Sequence, residues 1–232
     1  MSEALQKVLG LKHLPLFPLP LVALPNEFLP LHIFEDRYRQ MLKDVEGERN
    51  IFGVTFFDPE TSFIDKPALE TIGCAVEIRQ SETLPDGRSN ILTLGLVRYR
   101  LLEYIDSGEP YLRGDVNFFE DAPEDANAVN PLADDVFDLF ERMAKAAFKM
   151  GGGRGRLPEI QRADPESLSF LITAAFNFDN DKKYSLLKLT STSERLGQLK
   201  EILDQTVLQM EESADIQTVS RTNGHSKKKI DI

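Results

Sequence analysis

Arg98 and Arg100 are the first candidates for ligand chemistry in this chain. They lie two residues apart on a predicted strand, so both guanidinium groups project from one face and could bind an acidic or carboxylate ligand. In the competing interpretation this is a solvated strand face, on which the arginines pair across the sheet with Glu77 or its neighbours. We favour the second interpretation, because it needs no ligand.

Metal and cofactor motifs are missing from the sequence. The three histidines are isolated from one another, at His13, His32 and His225, and Cys74 is the only cysteine. A zinc protease needs two histidines one helical turn apart, and a thiolate cage needs several cysteines. Asp179-Asn-Asp181 begins like a calcium loop but has Tyr184 where the glycine belongs, so we interpret it as a helix cap. We predict no metal and no cofactor, and a structural role for His32.

Catalytic motifs are missing as well. The sequence has no Gly-x-Ser-x-Gly for a hydrolase elbow, and no Gly-Lys-Ser or Gly-Lys-Thr for a phosphate-binding loop. Glu35 and Asp36 are adjacent, so they point in different directions on a helix and fit helix-start charges better than a shared catalytic role. The glycines of residues 150–156 follow a helix and indicate a flexible loop. We predict no catalytic residue.

Composition narrows the classes of protein that remain. The 232 residues carry 27 basic and 38 acidic side chains, a net charge of −11, which opposes binding to DNA. A single cysteine permits no intrachain disulfide and favours a reducing compartment, so we expect a cytoplasmic protein. Lys7, Lys12 and several prolines interrupt the apolar amino terminus, which therefore fits neither a membrane span nor a signal peptide.

The chain divides into two unlike halves, whose secondary structure must position these residues. The sequence of the first half is typical of β-strands. Ile51-Phe-Gly-Val-Thr-Phe-Phe is rich in β-branched and aromatic residues. An alternating stretch from Thr71 returns through Ile91, and Asp86-Gly87 supplies the turn of this hairpin. About six strands and one short helix suggest a closed or nearly closed β-barrel.

Two proline-containing stretches precede that hairpin. The prolines of Leu14-Pro-Leu-Phe-Pro-Leu cannot donate to a sheet, so we place this strand at an edge or at the start of a sheet. Leu29-Pro-Leu-His-Ile-Phe is a second extended apolar stretch. Glu35 then opens the short helix, whose apolar residues follow a period of 3.6: Tyr38, Met41, Leu42 and Val45.

An acidic linker at residues 120–127 precedes the second half, whose sequence predicts helices. Three apolar stripes follow a three-four spacing. They are Val136, Leu139, Phe140, Met143 and Ala147; then Leu168, Leu171, Ile172, Ala175 and Phe176; then Leu196, Leu199, Leu203, Thr206 and Met210. Asp164-Pro165 and Ser191-Thr-Ser193 supply helix starts. Each stripe needs a partner surface, which a small bundle provides.

The ordered series of motifs resembles a known family. Its members in the first half are Leu14-Pro-Leu-Phe-Pro-Leu, Leu29-Pro-Leu-His-Ile-Phe-Glu-Asp-Arg-Tyr-Arg, Ile72-Gly-Cys-Ala, Asp86-Gly-Arg, Gly95-Leu-Val-Arg-Tyr-Arg-Leu and Pro110-Tyr. The second half adds Asp181-Lys-Lys-Tyr-Ser-Leu-Leu-Lys and Glu194-Arg-Leu-Gly-Gln-Leu. Together they closely resemble the amino-terminal substrate-binding domain of Lon proteases, over about residues 11–212.

This resemblance implies an α+β fold, a PUA-like β-pseudo-barrel followed by a carboxy-terminal α-helical bundle. We expect the barrel at residues 11–120, the bundle at 131–212 and a disordered tail at 213–232. The resemblance also implies a stand-alone, non-catalytic domain, since the sequence has no counterpart of the Lon ATPase or of its Ser-Lys protease. Ser226-Lys227 falls in the expected tail and is not read as that dyad.

The resemblance implies binding of unfolded protein or peptide ligands, as an adaptor in protein quality control with a protease or chaperone partner. Such ligands need apolar surface and strand edges. The candidate peptide-binding residues are Leu29, Leu31, Ile33 and Phe34, together with the proline-edged first strand. In the alternative interpretation, which we favour for these side chains, they fill the core.

Two other functions are alternatives to peptide binding. PUA-like barrels also bind RNA, and an RNA-binding module is the alternative function, although the acidic charge opposes it. A small-ligand receptor is suggested by the Lon-like domain of the ubiquitin-ligase receptor cereblon. The ligand pocket of that receptor belongs to a separate zinc-bearing domain, and the single cysteine here provides nothing equivalent. The identity of the ligand and the oligomeric state stay open.

Overall fold

The computed structural model describes residues 2–58, 60, 65–151 and 160–223. They form two compact units. The strand unit comprises Met1–Ala122 and Phe170–Thr190, and the helix-pair unit comprises Pro123–Ser169 and Ser191–Ile232. Residues 152–159 and 224–232 lie outside the described part, so the expected glycine loop, His225 and Ser226-Lys227 have no structural description.

The strand unit contains six strands and three complete helices within its described residues. The strands are β1 (His13–Leu19), β2 (Phe28–Ile33), β3 (Ile51–Phe56), β4 (Ile72–Thr83), β5 (Ser89–Ile105) and β6 (Leu112–Phe119). The helices are α1 (Glu3–Lys7), α2 (Asp36–Glu46) and α5 (Asn180–Lys188). The remaining helices are α3 (Ala126–Met150), α4 (Pro165–Ala175) and α6 (Thr192–Asn223). The α+β class expected from the sequence is confirmed.

The six strands form one sheet that closes on itself. Their order is β2-β5-β4-β3-β1-β6, and β6 pairs again with β5. The long strand β5 makes this possible, because residues 89–94 pair with β2 and residues 98–105 pair with β6. β1 and β3 are parallel, and the other paired strands are antiparallel. The expected closed sheet is confirmed.

The first strand does not lie at an edge, contrary to the expectation from its prolines. β1 has two neighbours, β6 along residues 13–16 and β3 along residues 16–19. Pro15 is paired only with β6, and Pro18 only with β3. Each proline thus lies outside the register of one neighbour, where its missing N–H leaves no ladder hydrogen bond unmade.

The short helix α2 closes one side of the core, as its spacing predicts. Its buried residues are Tyr38, Met41, Leu42 and Val45. They pack with Phe17, Phe52 and Val76 in one cluster, and the ring centroids of Tyr38 and Phe17 are 4.1 Å apart. The hairpin of β4 and β5 is also confirmed, and Gly87 adopts φ 83° in its turn.

The helix-pair unit is built on α3 and α6, which run parallel. Lys200 Nζ lies 2.5 Å from Asp135 Oδ2, and Arg142 Nη2 lies 2.8 Å from Glu211 Oε2, so residue numbers increase in the same direction along both helices. The buried residues include Val136, Leu139 and Met143 of α3 and Leu196, Leu199, Leu203 and Val207 of α6.

The unit boundaries differ from the expected barrel at 11–120 and bundle at 131–212. Residues 170–190 belong to the strand unit, because Phe170 and Leu187 pack in one cluster with Val22, Leu24 and Ile72. Residues 213–223 of the expected tail belong to α6, which continues to Asn223. Residues 213–223 contain no proline or glycine to end the helix.

Candidate functional site

β2 is the edge strand among the described strands. Residues 28–33 pair with residues 94–89 of β5, and no described strand pairs with the opposite side of β2. Every other described strand has at least two neighbours. An edge strand exposes main-chain N–H and C=O groups that can pair with another extended chain. The free edge of β2 is therefore the candidate site of this fold.

The side chains of β2 divide between the core and solvent. Ile33 is 1% exposed, and Leu29 and Leu31 are partly buried against the cluster that contains α2. Of the four candidate residues only Phe34 faces solvent, with 62% exposed. Leu29, Leu31 and Ile33 thus have the core-filling role that the sequence favoured for them.

Three outward residues of β2 were not among the candidates. Phe28 is 61% exposed, and Pro30 and His32 are also exposed. Alternation with a period of two could have identified them, since Phe28, Pro30, His32 and Phe34 share one face when Leu29, Leu31 and Ile33 share the other. We call these four residues the outer row of β2.

Two contacts involve the rings of His32 and Phe34 in the outer row. His32 and Phe34 stack with ring centroids 6.1 Å apart and an interplanar angle of 26°. His32 Nδ1 lies 2.7 Å from Asn90 Oδ1, so the ring donates to the neighbouring strand. Leu94 and Leu92 lie opposite Phe28 and Pro30 on β5 and are half-buried. The result is an apolar and aromatic surface beside an open strand edge.

The hydrogen bonds to β5 show which main-chain groups reach the free edge. Gly95 N–H donates to Glu27 O at 2.9 Å, and the hydroxyl of Thr93 donates to Leu29 O at 2.9 Å. Because main-chain groups alternate along a strand, the odd-numbered residues of β2 face β5 and the even-numbered ones face outward. Carbonyl groups of Phe28, Pro30 and His32 therefore line the free edge. Only Phe28 and His32 add an N–H, since proline has none.

Arg98 is not available to a ligand. Its guanidinium forms an ion pair with Asp121 and donates to the carbonyls of Leu187 and Leu189 at the end of α5. The rings of Phe119 and Phe170 lie 4.7 and 5.2 Å from it. The arginine is therefore a buried structural cation, and the solvated strand face expected for it is wrong.

Arg100 and Glu77 also have partners other than each other. Arg100 Nη1 lies 3.2 Å from Glu70 Oε2 in a partly exposed pair. Glu77 Oε2 instead accepts from Lys7 and Arg79, each at 2.9 Å. The cross-strand pairing that the sequence suggested does not form, and the two arginines do not create a carboxylate-binding face.

The remaining candidates have structural roles. Asp179 caps α5 by accepting from Lys182 N–H at 2.7 Å, as predicted. Asp36 begins α2 and pairs with Arg39. Burial raises the pKa of the Cys74 thiol, which lies fully inside the strand unit and is therefore unreactive.

Two features are absent from the described residues. Across residues 2–58, 60, 65–151 and 160–223, no cluster of three or more His, Cys, Asp or Glu side chains could hold a metal ion. Within the same part of the chain, no helix is both long enough and apolar enough to span a membrane.

Comparison with solved structures identifies the fold. The N-terminal domain of a Mycobacterium avium complex Lon protease superposes with a TM-score of 0.61 at 17% identity, covering 83% of this chain and 98% of that one. A Lon N-terminal domain protein from Xanthomonas campestris gives a TM-score of 0.53 at 23% identity, covering 82% and 97%. At these identities the likeness shows a common fold.

Sequence comparison identifies the family. The Lon protease of Heliobacterium modesticaldum is 28% identical over 218 residues, which are 89% of this chain and 26% of that protein. Lon protease 1 of Thermus thermophilus is 26% identical over 197 residues, or 82% and 24%. The chain thus spans about a quarter of the length of these relatives. Residues 13–205 match the model of the ATP-dependent protease La (LON) substrate-binding domain, and the chain belongs to that family.

Proposed function

We propose that this protein binds extended segments of unfolded polypeptide through the free edge of β2. One observation carries the proposal: the edge strand of the sheet exposes main-chain groups beside an outer row that contains Phe28 and Phe34. The family name, a substrate-binding domain of a protease, supports a polypeptide as the ligand.

The chemistry of this edge suits ligands of many sequences. Main-chain hydrogen bonds to an added strand require no particular side chain, so they provide affinity without a sequence code. The aromatic rings of the outer row add apolar contact area at low cost in side-chain entropy. An unfolded segment supplies both an extended backbone and exposed apolar side chains, whereas most strands of folded proteins are already paired on both sides.

The proposed role is non-catalytic. The family match covers a substrate-binding domain, and we propose that the chain neither hydrolyses ATP nor cleaves peptides. Instead it holds client segments in the cytoplasm as an adaptor for a separate protease or chaperone. Saturable ATP or casein hydrolysis that persists through repurification and follows the protein in every fraction would contradict this part of the proposal.

A binding assay with a permanently unfolded protein tests the proposal. The probe is a reduced, carboxymethylated and fluorescently labelled protein, and fluorescence anisotropy gives its Kd. The double variant Phe28→Ser with Phe34→Ser should raise Kd about tenfold, because both side chains lose their contact with the ligand. The variant should keep the circular dichroism spectrum of the original chain, since both residues are largely exposed.

Leu208→Ser provides the matched control. Leu208 is 61% exposed, as is Phe28, but it lies on α6 in the helix-pair unit. Its replacement removes one similarly exposed apolar side chain without touching β2, so Kd should not change. Equal Kd values for the double variant and the original chain would overturn the assignment of the site to β2.

A further inference from the structure

Pro30 lies in the middle of the free edge of β2. The odd-numbered residues of the strand are hydrogen-bonded towards β5, so residues 28, 30 and 32 turn their main-chain groups outward. Phe28 and His32 each offer an N–H and a C=O, but Pro30 offers a C=O alone. The edge therefore presents three carbonyl acceptors and two N–H donors. The position without a donor, Pro30, lies between the N–H groups of Phe28 and His32.

We propose that Pro30 limits the strength of strand pairing at this edge, so that polypeptide clients bind reversibly and a second copy of the chain does not pair there. This inference rests on the proposed function. A client strand can bond fully at Phe28 and His32, but its carbonyl opposite Pro30 loses its water without gaining a donor. Pairing is thereby reduced at the centre of the strand, where a continuous ladder would otherwise form.

The surroundings of Pro30 explain why such a limit is useful. Phe28 and Phe34 flank it with 61% and 62% of their surface exposed, and half-buried Leu92 lies opposite it on β5. An exposed apolar edge of this kind is a template for aggregation, and proline is one of the residues that interrupt such edges. The fold tolerates Pro30 because its missing N–H would have pointed away from β5.

Replacing Pro30 should strengthen binding. Any other residue restores the third donor, so Pro30→Ala and Pro30→Thr should both lower Kd for the unfolded probe by roughly three- to tenfold, the effect of one main-chain hydrogen bond. The change should lie mainly in a slower dissociation rate. Because alanine and threonine differ in side chain, a gain shared by both variants points to the main chain. Self-association of either variant in sedimentation experiments, abolished by also replacing Phe28 and Phe34 with serine, would support the second half of the proposal.

Adding a second proline should weaken binding, and the position of that proline matters. His32→Pro removes another outward N–H, whereas His32→Ala removes the same side chain and keeps the N–H. His32→Pro should therefore bind several-fold more weakly than His32→Ala while keeping the native circular dichroism spectrum. Leu31→Pro should disrupt the strand instead, because its N–H faces β5.

The outcomes separate this inference from the proposed function. If Pro30→Ala and Pro30→Thr bind the probe no more tightly than the original chain, while the Phe28 and Phe34 double variant loses binding, the role of Pro30 is wrong and the site stands. Equal affinity of His32→Pro and His32→Ala has the same meaning. If the original chain shows no saturable binding of the probe, the proposed function itself fails.

Discussion

Arg98 is a charged residue buried in the strand unit. Its side chain is 1% exposed and that of Asp121 is 3% exposed. The guanidinium also donates to the carbonyls of Leu187 and Leu189, where α5 ends without further helical donors. A single side chain thus connects β5, the segment after β6 and the end of α5.

Removing this cation should destabilise the strand unit strongly. Arg98→Met removes the cation of the buried ion pair with Asp121, and the expected loss is about 3–5 kcal/mol in the free energy of unfolding. The five tyrosines all lie in the strand unit, so urea unfolding followed by tyrosine fluorescence reports on it directly. Arg100→Met is the control, because its partly exposed pair with Glu70 should contribute less than about 1 kcal/mol. Similar midpoints for the two variants would show that the buried pair is not a principal support of this unit.

At the scale of elements, Gly95 shows how closely β5 approaches the turn before β2. Asn26 N–H donates to Gly95 O, and Gly95 N–H donates to Glu27 O, each at 2.9 Å. A Cβ atom on Gly95 would overlap the backbone carbonyl of Leu24. Backbone cannot move aside as a flexible side chain can, so glycine is required where this turn meets β5.

Gly95→Ala should therefore lower the free energy of unfolding by roughly 1–3 kcal/mol. Gly197→Ala is the matched control, because a Cβ atom there meets nothing within 4 Å and the residue lies inside α6. This second change should stabilise the helix-pair unit by up to about 1 kcal/mol, through helix propensity. Chemical unfolding followed by far-ultraviolet circular dichroism measures both. A Gly95→Ala variant as stable as the original chain would contradict the close approach.

Sequence periodicity predicted single elements well and their contacts less well. The four buried residues of α2 agree with its spacing, since one face of that helix packs on one core. On α6 the spacing placed Thr206 on the buried face, whereas Val207 is buried. The spacing of apolar residues predicts the buried face of a helix only to within one residue. Where two neighbouring residues could both face the core, packing against the partner helix determines which side chain is buried.

The extended apolar stretch that contains the candidate residues was predicted, but the orientation of its side chains was not. Residues 29–33 of this stretch lie in the edge strand β2, and Phe34 follows it, yet three of the four candidate side chains pack against the core. Alternation shows that two faces exist without showing which one is covered, and here the core cluster that contains Phe17, Phe52 and Val76 covers the face of Leu29 and Leu31. The role of Arg98 depends on Asp121 and on residues about 90 positions away, which no local pattern encodes.

At the scale of the whole molecule, the two units do not follow the order of the chain. Residues 170–190 leave the helical half and join the strand unit through Phe170, Leu187 and half-buried Tyr184. Prediction from the sequence places consecutive segments in the same domain, because the amino-acid composition changes only at the acidic linker. Packing of non-adjacent segments depends on complementary shape, and this is why the expected boundary at 131–212 differs from the observed one.

The net charge of −11 acts on every ligand that approaches the chain. An acidic surface attracts cationic segments at long range and repels anionic ones, including the RNA of the alternative function. The outer row of β2 contains no Asp, Glu, Lys or Arg side chain. Selection by charge is therefore expected from the molecule as a whole, while the proposed site at β2 would provide the contacts with the ligand backbone.

Two versions of one apolar peptide test this division of roles. With lysines on both flanks the peptide should bind several-fold more tightly at low salt than the same peptide with glutamates. The difference should disappear near 1 M salt, where the Debye length falls to about 3 Å. What remains at high salt is the affinity of β2 for the shared apolar segment, and the Phe28 and Phe34 double variant should lower only this part. Tighter binding of the glutamate-flanked peptide at low salt would show that local cations, rather than the overall charge, control the approach of the ligand.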